Sequence, residues 1–217
     1  MGHVTANLRE IRQRIARACE SCGRDPASVC LVAVSKTFGA DAIREAYDAG
    51  QRHFGESKLQ EALPKIAQLP DDIMWHFIGK LQSNKARRAA DAFRVIHSLE
   101  NERQVAEIGK GVSSIDGLVE VNIAQEAQKS GVLPPEVAHF WKIALQCERI
   151  HPKGLMTIGP ANLSSEAIRP FFRTMRELLQ LIGGEWLSMG MSHDFEVALQ
   201  EGATHIRVGT AIFGSRD

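Results

Sequence analysis

Lys36 closes the apolar run Cys30-Leu-Val-Ala-Val-Ser-Lys36, the first strand-like segment of the chain. Far downstream, two more strand-like segments end in Ser188-Met-Gly-Met-Ser192 and Ile206-Arg207-Val208-Gly209-Thr210. An amine at one strand end is thus matched by a hydroxyl, a guanidinium and glycine-opened backbone at two others. A lysine that loses hydration has a lowered pKa, which leaves neutral amine able to attack an aldehyde. Ser192 stands directly before a predicted helix, where its hydroxyl can cap the helix or donate to a phosphate oxygen. Gly209 lets the backbone around Thr210 approach an anion closely. Arg207 lies two residues before Gly209, so strand alternation points both to one side.

These groups together suit a phosphorylated aldehyde held as a Schiff base on Lys36, and pyridoxal 5′-phosphate (PLP) is the natural candidate. A guanidinium beside its pyridine nitrogen can only donate, so the ring nitrogen stays unprotonated and is a weaker electron sink. That argues against demanding carbanion chemistry. Blander readings stand beside these. Lys36 can be a solvated charge at a wet strand end, Ser192 a plain N-cap, Gly209 a plain turn and Arg207 half of a salt bridge.

Other chemistry-bearing residues give weaker signals. His53, His76, His97 and His205 fall in strand-like segments, but no HxH or HExxH pair occurs and carboxylates do not cluster with them, so no metal is expected. Cys19-Glu-Ser-Cys22 has CxxC spacing without the second pair of a structural zinc site, so reduced thiols are expected. Lys80, Lys85, Arg87 and Arg88 read as a solvated helix face; an anion site or a mobile lid is the sharper option.

The elements that must position these residues alternate. Strands are predicted near 30–36, 53–57, 74–79, 94–99, 117–123, 150–158, 186–191 and 205–209. Helices are predicted over 5–22, with Leu8, Ile11, Ile15 and Ala18 on one face, and near 40–49, 58–68, 84–92, 101–110, 135–147, 164–182 and 193–201, with a short one from 210. Eight strand–helix alternations predict an α/β fold, a (β/α)₈ TIM barrel with an extra N-terminal helix, as one domain over residues 1–217. A doubly wound open sheet would advertise a Gly-rich turn after its first strand, and Ser35-Lys36-Thr37-Phe38-Gly39 is not one.

Bulk composition sets the outer limits. The 217 residues carry 26 Lys+Arg and 26 Asp+Glu, so no global field favours nucleic acid or an anionic membrane. The N-terminus lacks the apolar core of a signal peptide and no apolar run is long enough to span a bilayer, so a cytoplasmic location is expected.

The motifs together resemble the pyridoxal phosphate homeostasis proteins, the YggS/PROSC family, also called the alanine racemase N-terminal-domain family. The matching segments are Leu31-Val-Ala-Val-Ser-Lys36-Thr37, Phe54-Gly55-Glu56, Trp75-His76-Phe77-Ile78-Gly79, Leu81-Gln82-Ser83-Asn84-Lys85, Lys129-Ser130-Gly131, Gly154-Leu155-Met156, Leu187 to Ser192 with Asp194, and Arg207 to Gly214. They run in order over nearly the whole chain. The resemblance implies a monomeric barrel like the N-terminal domain of fold-type III PLP enzymes. It implies that Lys36 holds PLP as an internal aldimine, that Ser192 with the backbone of Gly209 and Thr210 holds the phosphate, and that Arg207 faces the pyridine nitrogen. The implied role is PLP homeostasis, as a carrier or buffer without robust turnover, with apo PLP-dependent enzymes as recipients. Where the family usually reads Gly-Glu-Asn-Tyr, this chain has Gly55-Glu56-Ser57-Lys58, which removes an expected amide or phenol and adds a second amine.

The enzymatic alternative is an amino acid racemase, which needs acid–base groups on both faces of the substrate. The opposing tyrosine of such enzymes normally comes from a second domain, expected to be absent in a chain ending at Asp217, and the sole tyrosine, Tyr47, falls on the first crossover helix. A Schiff-base aldolase would place a lysine similarly but would leave Ser192, Arg207 and Gly209 without a purpose.

Overall fold

Parallel strands cannot be joined by a tight turn, so each needs a crossover, and the chain supplies a helix for each. The computed structural model describes residues 2–160 and 163–215. Its strands are β1 (Cys30–Val34), β2 (His53–Glu56), β3 (Met74–Phe77), β4 (Val95–Leu99), β5 (Ile115–Glu120), β6 (Ile150–Met156), β7 (Trp186–Ser188) and β8 (His205–Val208). All pair in parallel in chain order, and β8 returns to β1 with Cys30 opposite His205 and Val32 opposite Arg207, closing the barrel. The helices are α1 (His3–Ser21), α2 (Ala40–Asp48), α3 (Leu59–Ile66), α4 (Ala86–Ala92), α5 (Glu102–Gly109), α6 (Val137–Leu145), α7 (Arg169–Ile182), α8 (Phe195–Gln200) and α9 (Thr210–Phe213). The predicted (β/α)₈ barrel with an extra N-terminal helix is therefore the observed one.

Burial explains the elements. β4 is buried at every position, as a parallel strand covered on both faces should be. Helix α1 buries Leu8, Ile11, Ile15 and Ala18, the predicted face, together with Val4 and Cys19. Each large side chain on that face contributes about 1.5–3 kcal/mol when fully buried. It packs against α8 and α9, where Arg14 meets Glu196 at 2.6 Å and Asn7 Nδ2 donates to the Ile212 carbonyl at 2.8 Å.

The differences from expectation have local causes. The helix predicted from 164 begins at Arg169, because Pro170 has no N–H and fits only a first turn. The segment before α4, Ser83–Lys85, is a tighter 3₁₀ turn. The strand placed at 117–123 runs from Ile115 to Glu120. Most strands stop one to three residues before their predicted ends, and those residues line the barrel mouth instead. No helix among the described residues is long and apolar enough to cross a membrane. The four cysteines are free thiols.

Candidate functional site

Lys36 sits two residues beyond β1, in a turn closed by the Phe38 N–H donating to the Ser35 carbonyl at 3.1 Å. Thr37, the next residue, has φ 73°, a left-handed conformation that a β-branched side chain rarely adopts. On the other side of Lys36, Ser35 is tied down: its hydroxyl donates to Glu56 Oε1 at 2.7 Å, and Lys65 from α3 donates to the same oxygen at 2.8 Å and to the Ser35 carbonyl at 3.1 Å. Glu56 is fully buried at the end of β2, and its Oε2 has no hydrogen-bond partner among the described residues.

The opposite side of the mouth comes from the loops after β7 and β8. Gly190 has φ 90°, and an added Cβ there would lie 2.6 Å from the Ala198 side chain, so only glycine makes this turn. Its carbonyl accepts the Arg207 N–H at 3.0 Å, tying the two loops together. Ser192 is not the residue next to the helix, as expected; Asp194 is the N-cap of α8, and its Oδ1 accepts the Met191 N–H at 2.6 Å. Asp194 holds the N-cap position without a side-chain bond to the helix, its carboxylate being turned back to the loop before it. The Ser192 hydroxyl is left to the mouth, where it accepts from Thr210 Oγ1 at 3.2 Å. Thr210 opens α9, whose Ile212 and Phe213 N–H groups donate to the Gly209 carbonyl, which leaves those of Thr210 and Ala211 at the helix start.

One cavity of about 200 Å³ brings the predicted residues together: Lys36, Ser192, Arg207, Gly209 and Thr210 all line it, with Val34, Ile78 and Ile158 as apolar walls. A second cavity of about 290 Å³ shares Lys36, Ile78 and Ile158 and adds Glu120, Asn122 and Lys129. Glu120, on the last turn of β5 toward the mouth, was not anticipated from the sequence. Burial pushes its carboxyl up to about 7, helped by Glu100 and opposed by Arg207 and Lys80. A larger cavity, about 780 Å³, lies at the other end of the barrel among the strand starts and contains none of these groups.

Arg207 is buried and forms no salt bridge among the described residues; it donates to Ser188 Oγ at 2.6 Å and to the Thr157 carbonyl at 2.8 Å. Burial lowers its guanidinium to about 10, against the pull of Glu120 and Asp194, so it remains charged at neutral pH. Below it runs a polar column. Ser188 Oγ lies 3.0 Å from His97 Nδ1, His97 Nε2 2.8 Å from His76 Nδ1, and His76 Nε2 2.9 Å from His53 Nδ1. Burial lowers the pKa of all three imidazoles, so they are neutral.

Lys58, the second amine near the mouth, is solvated and pairs with Glu61 at 2.7 Å; it lines a separate cavity with Lys80 and Lys85, away from Lys36. Tyr47 donates to Asp72 at 2.7 Å under the guanidinium of Arg52, on α2 and outside the mouth cavities. Arg87 and Arg88 are exposed on α4, a solvated face.

Fold and site define a parallel (β/α)₈ barrel with an amine, hydroxyls and a guanidinium gathered at the C-terminal ends of its strands. A sequence profile for the alanine racemase N-terminal domain matches residues 4–217. A pyridoxal phosphate homeostasis protein of Pseudomonas aeruginosa is 42% identical over 100% of this chain and 97% of its own length. The structure of PipY from Synechococcus elongatus with PLP bound superposes with a TM-score of 0.78 at 38% identity, covering 94% of this chain and 100% of that one. Alanine racemase from Bartonella henselae shares the fold, with a TM-score of 0.74 at 16% identity over 98% of this chain and 58% of that one. The chain belongs to the alanine racemase N-terminal-domain family, among its pyridoxal phosphate homeostasis proteins.

Proposed function

We propose that this protein binds PLP covalently through Lys36 and serves intracellular PLP homeostasis as a carrier or buffer, without robust turnover. The observation that carries the reading is the convergence of Lys36, Ser192, Arg207, Gly209 and Thr210 on one cavity. Their chemistry fits the group part by part. When bound, PLP supplies an aldehyde that condenses with an amine, beside a phosphate and a pyridine nitrogen. Lys36 is the amine, held at a fixed place by the Ser35–Glu56–Lys65 contacts. The Ser192 and Thr210 hydroxyls and the Thr210 and Ala211 N–H groups at the start of α9 are phosphate donors. Arg207 lines the cavity and can only donate, which suits an unprotonated ring nitrogen. Val34, Ile78 and Ile158 give the ring apolar cover.

The relatives named as PLP homeostasis proteins and the PLP-bound PipY support this reading over a racemase. So does Tyr47, the chain's one tyrosine, which is engaged on α2 and offers no proton at the mouth. Glu120, titrating near neutrality beside Lys36, is a group through which slow proton transfer on a bound amino acid would run. The reading carries with it a cytoplasmic monomer that hands PLP to apo enzymes; four free thiols and a zero net charge support it.

The test is the absorption spectrum of purified protein with PLP before and after borohydride, followed by peptide mapping. The adduct should sit on the peptide containing Lys36, and Lys36→Ala should lose it while keeping its fold. An adduct found mainly on Lys58 would sink the assignment.

A further inference from the structure

The strand-start end of the barrel holds a cluster that the mouth does not use. Cys30 opens β1 and His53 opens β2, while His76 lies in the middle of β3. Cys30, His53 and His76 each offer one ligand atom, and these atoms lie within 4.8 Å of one another. Cys30 and His53 also line the cavity of about 780 Å³ at that end, so solvent and ions have a route to the cluster. His76 is fully buried behind them.

We propose that Cys30, His53 and His76 form a binding site for a borderline-soft divalent cation, with Zn²⁺ as the natural occupant. One thiolate and two imidazoles are the donor set such ions prefer. Tetrahedral bonds of about 2.0–2.1 Å to nitrogen put two ligand nitrogens roughly 3.3 Å apart. His53 Nδ1 and His76 Nε2 are 2.9 Å apart and need open by only a few tenths of an ångström. The fourth position faces the cavity and takes water. Binding releases one proton, from the Cys30 thiol, which burial otherwise holds up to about 12.

The ion also fixes the direction of the polar column. Without it, the contacts Arg207–Ser188–His97–His76–His53 can run either way, because the Ser188 oxygen can accept from both Arg207 and His97. A cation at His76 Nε2 needs that lone pair, so the His76 proton sits on Nδ1 and donates to His97 Nε2. His97 must then carry its proton on Nδ1 and donate to Ser188, the acceptor of the Arg207 guanidinium. The site is thereby wired to the residue at the opposite mouth.

The test uses full-length protein freed of PLP and metals and kept reduced, so its outcome does not depend on the PLP reading. Titration with Co²⁺ should give a near-ultraviolet thiolate-to-cobalt band saturating at about one ion per chain, displaced by Zn²⁺. Cys30→Ser should abolish the band and weaken binding by more than the 10- to 100-fold that outer partners are worth. His53→Gln, at a half-exposed position, gives a second reading if the first variant fails to fold. Cys22→Ser should keep the band, which separates this site from the Cys19–Cys22 pair. Imidazole ¹⁵N shifts should show the His97 proton on Nδ1 when Zn²⁺ is bound. A band that survives Cys30→Ser, binding weaker than about 1 mM, or a His97 that carries its proton on Nε2 with Zn²⁺ bound would overturn the proposal.

Discussion

Arg207 donates to Ser188 Oγ across 2.6 Å inside the barrel, and this contact joins the mouth to the histidine column beneath it. Ser188 is fully buried on β7 and Arg207 is buried on β8, so neither has water as an alternative partner. The hydroxyl fixes where the guanidinium sits, and therefore what it can present to a ligand.

Ser188→Ala should cost about 2 kcal/mol, the worth of a hydrogen bond to a charged group, and lower Tm by roughly 4–8 °C for a chain of this size. Ser98→Ala is the contrast. The Ser98 hydroxyl is equally buried but has no partner among the described residues, so its removal should be neutral or stabilising. Thermal unfolding of both variants checks the pair; equal losses would show that burial alone, not the Arg207 contact, sets the cost.

The phosphate side is tested by Ser192→Ala and Thr210→Ala. Each removes one donor to a charged oxygen, worth about 1.5–3 kcal/mol, so PLP should bind roughly ten- to a hundredfold more weakly. Both side chains lie at the surface of the mouth, so stability should change little. PLP titration by absorbance reads the affinity. Wild-type binding in both variants would move the phosphate elsewhere, with the Lys58–Lys80–Lys85 cavity as the next place to look.

Glu56→Gln tests the support under Lys36. The carboxylate is fully buried and partners Lys65, whose side chain is 13% exposed. Removing one member of a buried pair costs about 3–5 kcal/mol, and the partial exposure of Lys65 puts this case near the low end. PLP uptake should weaken with stability, because the Ser35 carbonyl and hydroxyl lose their common anchor. Chemical denaturation together with the yield of borohydride-fixed PLP checks both. An unchanged yield in a destabilised variant would separate the anchor from the site.

Much of this is legible in the sequence, for a physical reason. Buried parallel strands are continuous apolar runs, and once eight of them alternate with helices, closure brings the ends of β1, β7 and β8 to one mouth. Lys36, Ser192, Arg207, Gly209 and Thr210 could therefore be grouped without knowing any distance. The column could not. His97 and Ser188 meet across 91 residues, and His76 meets His97 only because the barrel's stagger sets them at one level. No local pattern encodes that stagger. Glu120 was equally hidden, since a carboxyl at a strand end is ordinary until burial around it is known. A hint for Ser188 was available: it is polar in an apolar strand, and alternation through Gly190 and Ser192 points it toward the side of the mouth residues.

Stability should depend on pH through the groups that burial shifts. His205 has its pKa lowered by burial, and by His53 and Arg207, from 6.5 to about 4. Between those values the unfolded chain holds a proton that the folded chain refuses, so stability is full above pH 6.5 and falls as pH drops toward 4. His53, His76 and His97 are shifted the same way, all mainly by desolvation. Glu120 runs the other way: raised from 4.5 to about 7, it contributes stability below pH 4.5 that is lost as pH rises through 7. Each titrating group contributes at most about 1.4 kcal/mol per pH unit, and four imidazoles outweigh the two carboxyls that burial raises, Glu120 and Asp194. Stability should therefore decline from pH 6.5 to 5 in the wild-type protein. Glu120→Gln removes one opposing contribution, so its decline over the same range should be steeper. Urea denaturation at half-unit steps from pH 7.5 to 5 measures both slopes. A wild-type curve that stays flat would mean that the buried histidines do not stay neutral in the folded barrel, and a Glu120→Gln curve shallower than wild type would mean that the Glu120 carboxyl is not raised there.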